Sequence, residues 1–233
     1  MKTDRLRPFL EWLKDIFFPL RCPFCGRVID RSADCCDSCR ARLPRVNWAE
    51  VCPRCGKHSC VCGVVPLISM TCPVFYYEDP ARFAVRQLKF AHHPGTAFSL
   101  GRLMADVLKE KGGEWDLIVP VPMTGKKLRK RGYNQSELLS RAIAERMGIP
   151  AVAALKKIRE TKEQHTLGAM ERSHNLTGSY EADENLVQGK RVLLCDDVLT
   201  TGSTLREAAA ALLRAGAVDV GAVALCSVRG ERS

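Results

Sequence analysis

Beyond residue 64, apolar runs alternate with helix-spaced apolar positions, the pattern of an α/β domain. "TCPVFYYE" (71–78) reads as a strand, and "ARFAVRQLKF" (81–90) and "AFSLGRLMADVLKEK" (97–111) read as helices with one apolar face. "WDLIVPVP" (115–122) is almost continuously apolar, as a strand covered on both faces must be. "SELLSRAIAERMG" (136–148) predicts a helix capped by Ser136 and stopped by Gly148. "KRVLLCDDV" (190–198) is a further strand, and "TLREAAAALLRAG" (204–216) a helix with Leu205, Ala208, Ala209, Leu212 and Leu213 on one face. "VDVGAVALCSV" (218–228) is the last strand. Strand–helix–strand units at this spacing predict a parallel sheet with right-handed crossovers and helices on both faces.

Before residue 64 this periodicity is missing, and the chain is rich in Cys, Pro and Arg. The expected division is 1–63, an N-terminal helix plus a cysteine module, and 64–233, the α/β domain. The opening "MKTDRLRPFLEWLKDIFFPLRC" has an apolar patch broken by Glu11, Lys14 and Asp15 and lacks a small-residue cleavage site. It therefore reads as a short amphipathic helix and not a signal peptide.

Ten of the 12 cysteines lie between Cys22 and Cys72, in paired spacings, which reads as metal binding in a reducing compartment. Cys22-Pro-Phe-Cys25 and Cys36-Asp-Ser-Cys39 are two CxxC knuckles that together make a tetrahedral zinc site. Cys36 is preferred to Cys35 because only Cys36 makes CxxC with Cys39. Cys52-Pro-Arg-Cys55 opens a second set that Cys60 and Cys62 would close, although CxC is a cramped knuckle and His58 is an alternative ligand. One or two structural zinc ions are thus expected, each able to contribute roughly 10–16 kcal/mol of apparent binding energy to a segment with little core. Cys72 and Cys226 sit in strands and read as small buried apolar residues.

The chain has 233 residues, 46% hydrophobic and 27% charged, with a net charge of +10 and a pI near 9.1. This balance favours anionic partners such as phosphate esters or nucleic acid. No stretch is apolar enough to span a bilayer, and a cytoplasmic location is expected.

The most unusual chemistry lies in "VLLCDDVLTTGSTL" (192–205). Asp196 and Asp197 end an apolar strand, where open α/β sheets bind ligands. Thr200, Thr201, Gly202, Ser203 and Thr204 then lead into a helix whose free N–H groups attract an anion. A glycine that permits close approach and four hydroxyls make this a phosphate cradle. Two carboxylates beside it suit a pair of vicinal sugar hydroxyls or a magnesium ion. Together these residues describe a ribose 5-phosphate site. A receiver-type acidic pocket would require its acidic pair on the first strand and a lone acceptor aspartate mid-domain, and neither is present.

Two further stretches bear on that site. "KKLRKR" carries five cations in the six positions 126–131, directly after a strand end, so Arg131 or a neighbour is a candidate for meeting pyrophosphate. "RETKEQHTLGAMERSHNLTGSY" (159–180) is long and polar, which suggests a lid with Gln164, Arg172 and Asn175 facing in. His165 and His174 read as loop surface.

Residues 192–204 resemble the phosphoribosyl pyrophosphate (PRPP) signature of type I phosphoribosyltransferases. That resemblance implies that Asp196 and Asp197 hold the ribose hydroxyls, that Thr200 to Thr204 hold the 5-phosphate, and that Val121 and Pro122 stand in the pyrophosphate loop. The implied chemistry is displacement of pyrophosphate from the anomeric carbon by a nitrogen nucleophile, with magnesium on the diphosphate. Taken in order, the cysteine knuckles, "LKF", "VPVP", "RGYNQSELL", "QHTLGAMERSHNLTGSY" and the PRPP motif resemble the ComF family over nearly the whole chain. The resemblance implies a type I phosphoribosyltransferase-like fold behind a double zinc ribbon, in a cytosolic bacterial protein. The shortened second cysteine set departs from the spacing usual in that family.

Two functions are compatible with these residues. One is a pentosyl-transferring enzyme that uses magnesium and PRPP on an unidentified acceptor, a place in nucleotide metabolism. The other is a non-catalytic PRPP-pocket protein binding single-stranded DNA in DNA uptake, with competence-machinery proteins as partners. Glutaminase activity is not expected, because the chain starts Met1-Lys2-Thr3 without a nucleophilic cysteine.

Overall fold

The computed structural model describes residues 19–30, 32–58, 60, 62, 67–90, 95–158 and 178–229. The expected N-terminal amphipathic helix falls outside these residues apart from its last few positions. The central sheet has four parallel strands: β1 (Thr71–Tyr76), β2 (Leu117–Pro120), β5 (Arg191–Leu199) and β6 (Asp219–Ser227), in the spatial order β1-β6-β5-β2. The helices are α1 (Asp37–Arg40), α2 (Ala81–Phe90), α3 (Gly95–Lys111), α4 (Gly125–Arg131), α5 (Gln135–Met147), α6 (Glu184–Val187) and α7 (Ser203–Arg214). A short antiparallel pair, β3 (Leu155–Lys157) and β4 (Tyr180–Ala182), lies beside the sheet. Each strand of that pair is only three residues long, too short to show an alternating pattern in the sequence.

The two faces of the sheet carry separate cores. On the first, Leu100 and Met104 of α3, Leu139 and Ile143 of α5, and Ala84, Val85 and Leu88 of α2 pack over Phe75, Ile118, Leu193 and Val223. On the second, Leu205, Ala208, Ala209 and Leu212 of α7 pack over Val119, Val192, Leu194 and Ala222. Alternation along β5 explains the division, since Leu193 and Leu194 point to opposite faces. Gly148 stops α5 in the left-handed conformation (φ 73°) that glycine adopts without a Cβ penalty.

The cysteine module completes the sheet. Strand β1 is buried along its whole length, although it lies at the end of the strand order. Its free edge is paired by the segment after α1. Val46 donates its backbone N–H to Val74 (3.2 Å), and Tyr76 donates to the Pro44 carbonyl (2.7 Å), in antiparallel register with Arg45 opposite Phe75. Phe24 packs edge-on to Phe75 at 5.8 Å, and Arg102 of α3 pairs with Asp34 at 3.0 Å. Thr71 is held to the second knuckle through the carbonyls of Pro53 and Arg54. An apolar strand edge that would otherwise recruit foreign strands is thereby covered.

The close fit of α3 against α5 generates a stability test. A Cβ at Gly101 would lie 2.4 Å from Ala142 Cβ and 3.0 Å from the Leu139 carbonyl. Glycine to alanine in a helix ordinarily stabilises by about 0.5–1 kcal/mol, but overpacking costs about 1–3 kcal/mol. Gly101→Ala is therefore expected to destabilise the protein, measured as a lower urea midpoint with unchanged slope.

Candidate functional site

Strands β2 and β5 part company at one end of the sheet. Their pairing stops at Pro120 opposite Cys195, whereas β5 continues beside β6 as far as Leu199 opposite Ser227. From β2 the chain passes through α4 to α5 on the first face; from β5 it passes to α7 on the second. The diverging connections leave a crevice at the carboxyl ends of the strands, the place where open parallel sheets take ligands. A cavity of about 770 Å³ lies there.

Asp196 and Asp197 both line it. They belong to β5 itself, which runs two residues past them, so they are fixed by the ladder and not carried on a loop. Asp196 Oδ1 accepts from the Ser136 hydroxyl (3.2 Å) and from the backbone N–H of Asp197 (2.8 Å). Asp197 Oδ2 pairs with Lys89 Nζ at 2.8 Å. Burial raises the Asp196 carboxyl from an ordinary 3.8 to about 7, and the charge on Asp197 adds to the rise. The Asp197 N–H, the Ser136 hydroxyl and Lys89 pull it part of the way back.

Ser136 is not the cap of α5. Asn134 caps the helix by accepting from the Ser136 N–H (3.1 Å), and this turns the Ser136 hydroxyl towards Asp196. Asn134 also donates to the Val121 carbonyl (3.0 Å), tying the helix start to the end of β2. Nothing in the sequence around Lys89 marks it as a site residue. It sits one position past Leu88 on an amphipathic helix, and only the tertiary fold brings it to the doublet.

The Thr200–Thr204 stretch divides its labour. Thr200 and Thr204 line the cavity. Thr201 and Ser203 bond each other through their hydroxyls at 2.9 Å, and Gly202 turns the chain at φ +79°. Gly202 provides no side-chain cap for α7; the N–H of Ser203 reaches the Thr201 hydroxyl at 3.4 Å, and the N–H groups that follow it in the first turn are free to meet an anion.

Opposite the doublet, Val121, Pro122, Met123 and Thr124 line the cavity, followed by Lys127, Lys130 and Arg131 of α4. The basic run forms a seven-residue helix with no buried residue, capped by Thr124. Gln164, Arg172 and Asn175, with His165 and His174, lie outside the described residues.

The two cysteine tetrads are formed by Cys22, Cys25, Cys36 and Cys39, and by Cys52, Cys55, Cys60 and Cys62; within each, the sulfurs lie within 4.8 Å of one another. A zinc ion 2.3 Å from four thiolates requires sulfurs about 3.8 Å apart. Cys25 to Cys36 (3.6 Å) and Cys52 to Cys62 (3.7 Å) fit that spacing. Each set starts from the same turn: Gly26 donates to the Cys22 carbonyl and Gly56 to the Cys52 carbonyl, both at 2.8 Å, and both glycines have positive φ. Both tetrads therefore fit structural zinc. His58 instead stacks on Tyr76, with ring centroids 5.6 Å apart.

The raised Asp196 carboxyl has a pH signature. The folded chain holds that proton more tightly than the unfolded chain, so its contribution to stability falls as pH rises from about 3.8 to about 7 and is constant above. Asp196→Asn is expected to flatten the unfolding free energy between about pH 4 and 7 relative to the parent, as read from denaturant melts.

Residues 13–73 match the family model for the double zinc ribbon domain, and residues 87–233 that for the phosphoribosyl transferase domain. "DNA utilization protein YhgH" of Salmonella typhimurium is 33% identical over 211 residues, covering 88% of this chain and 89% of that protein. "Competence protein F" of Haemophilus influenzae is 27% identical over 221 residues, covering 88% and 95%. Among solved structures, the glutamine PRPP amidotransferase of B. subtilis overlaps 60% of this chain at 22% identity and a TM-score of 0.42, and the chain spans only 30% of that enzyme. A zinc ribbon and a phosphoribosyl transferase domain in this order, with relatives matched over almost their full length, make the chain a member of the ComF family.

Proposed function

We propose that the crevice binds PRPP with magnesium and transfers its phosphoribosyl group to a nitrogen acceptor. The reading rests on one convergence: a carboxylate pair, an uncapped helix start and a basic helix all face a single cavity. Asp196 and Asp197 accept hydrogen bonds from the two ribose hydroxyls. The N–H groups opening α7, with the hydroxyls of Thr200 and Thr204, hold the 5-phosphate. Thr201, Gly202 and Ser203 shape that turn. The diphosphate lies against Val121, Pro122 and Arg131, where magnesium supplies charge neutralisation for the leaving group.

In the transfer, the bond from the anomeric carbon to the pyrophosphate oxygen breaks and a carbon–nitrogen bond forms. The acceptor nitrogen gives up a proton and pyrophosphate departs. Charge builds on the sugar and on the leaving group, so positioning and electrostatics carry most of the rate. In this reading Gln164, Arg172 and Asn175 are further ligand-contacting residues, and the chain divides into the ribbon module (1–63) and the transferase domain (64–233).

Asp196→Asn combined with Asp197→Asn is expected to weaken calorimetric binding of magnesium-PRPP at least a hundredfold, about 2.7 kcal/mol. Unchanged circular dichroism would show that the fold persists; retained affinity would overturn the assignment.

A second reading, a PRPP-pocket protein that binds single-stranded DNA without transfer, is favoured by the relatives' names and by the run Lys126 to Arg131 on an exposed helix. If that binding is electrostatic, log affinity falls with log salt by about 0.7 per phosphate contacted. Replacing Lys126, Lys130 and Arg131 by Ser should reduce that slope in filter-binding assays, and a salt-independent affinity would count against this reading.

A further inference from the structure

The turn between α4 and α5 closes a ring of hydrogen bonds around one edge of the crevice. Val121 donates its backbone N–H to the Cys195 carbonyl (2.9 Å), which seats the end of β2 on β5 one residue before Asp196. The Val121 carbonyl in turn accepts from Asn134 Nδ2 (3.0 Å). Asn134 Oδ1 accepts from the Ser136 N–H (3.1 Å), and the Ser136 hydroxyl donates to Asp196 (3.2 Å). One amide therefore serves two sides, its nitrogen the strand and its oxygen the helix, which a side chain with a single polar atom cannot do.

Between Val121 and Asn134 the chain leaves the sheet and comes back. The helix α4, which fills that excursion, has no buried residue, and its Thr124 cap and Gly132 stop bond only within the excursion. Its Lys130 and Arg131 nonetheless line the cavity. The Asn134 amide joins the exit of the excursion to its entry and, through Ser136, to the first carboxylate. The residue before it serves the second: the Tyr133 hydroxyl donates to the Leu88 carbonyl (2.6 Å), beside Lys89, which pairs with Asp197 (2.8 Å).

We infer that Asn134 is a positioning residue that sets the distance between the cationic α4 excursion and the Asp196–Asp197 doublet, so that a ligand with a sugar at one end and a diphosphate at the other meets both at once. The inference rests on the phosphoribosyl reading of the cavity. A two-ended ligand gains from its second contact in proportion to how well the half-sites are spaced beforehand. A one-ended ligand gains nothing from that spacing. Both polar atoms of the Asn134 side chain are engaged within the ring, so the residue acts through Val121 and Ser136 and not as a ligand contact.

The test separates a spacer from a brace. Calorimetry on the full chain would measure magnesium-PRPP beside its two halves, ribose 5-phosphate and magnesium pyrophosphate. Asn134→Ser keeps a hydroxyl able to cap α5 but unable to reach Val121 as well. It should weaken PRPP about tenfold, as the loss of about one net hydrogen bond would, and leave each half within about twofold. In the Ser136→Ala background the same substitution should cost PRPP less than about threefold, because a ring opened at one link loses little more at a second. Equal weakening of all three ligands, an unchanged PRPP affinity, or losses that multiply in the double variant would each overturn the spacing role and leave the phosphoribosyl reading standing. Should the halves bind too weakly to measure, the double variant decides alone. If the parent chain does not bind PRPP, both readings fall.

Discussion

Two adjacent carboxylates on a buried parallel strand set the terms for everything around them. Burial drives a proton onto Asp196, and the neighbouring charge of Asp197 adds to that pressure. The fold answers with three donors from three parts of the chain: the Asp197 backbone, the Ser136 hydroxyl from α5 and the Lys89 ammonium from α2. Each donor fixes an element. Ser136 reaches the doublet only because Asn134 takes over the capping of α5, and Lys89 reaches it only because α2 ends beside the crevice. The carboxylates therefore organise two helices as well as offering acceptors to a ligand.

The ribbon module serves the same sheet from its far edge. Its thiolate tetrads make a rigid frame out of a segment with little apolar surface, and its backbone at Pro44 to Val46 supplies the pairing that β1 lacks. Metal binding and sheet completion are thus one structural fact. Phe24 against Phe75 and Asp34 against Arg102 carry that coupling into the core and into α3.

Much of this was legible in the sequence, for identifiable reasons. Long periodic runs such as 97–111 and 204–216 announced their helices, and continuous apolar runs announced buried strands. The doublet and the Thr/Gly/Ser turn stood out because such residues stabilise neither a strand nor a helix interior. What escaped notice depends on tertiary placement. The assignment of Ser136 as a cap failed because Asn134, two residues earlier, competes for the same role, and nothing local reveals that a carboxylate sixty positions away claims the hydroxyl. Lys89 sits in an ordinary helical pattern, and its chemistry appears only when α2 and α5 meet at the crevice. The β3–β4 pair lies on either side of the long polar segment, whose composition gives no hint that its two ends join.

Strand β1 carries one more implication. Its outer edge is paired by backbone that lies between the two cysteine tetrads, so the cover of this edge depends on the ions that hold those tetrads together. Stripping the ion would release segment 44–46 and leave six buried strand residues with an open row of amide and carbonyl groups. An edge opened in this way is a template for the same edge of a second copy.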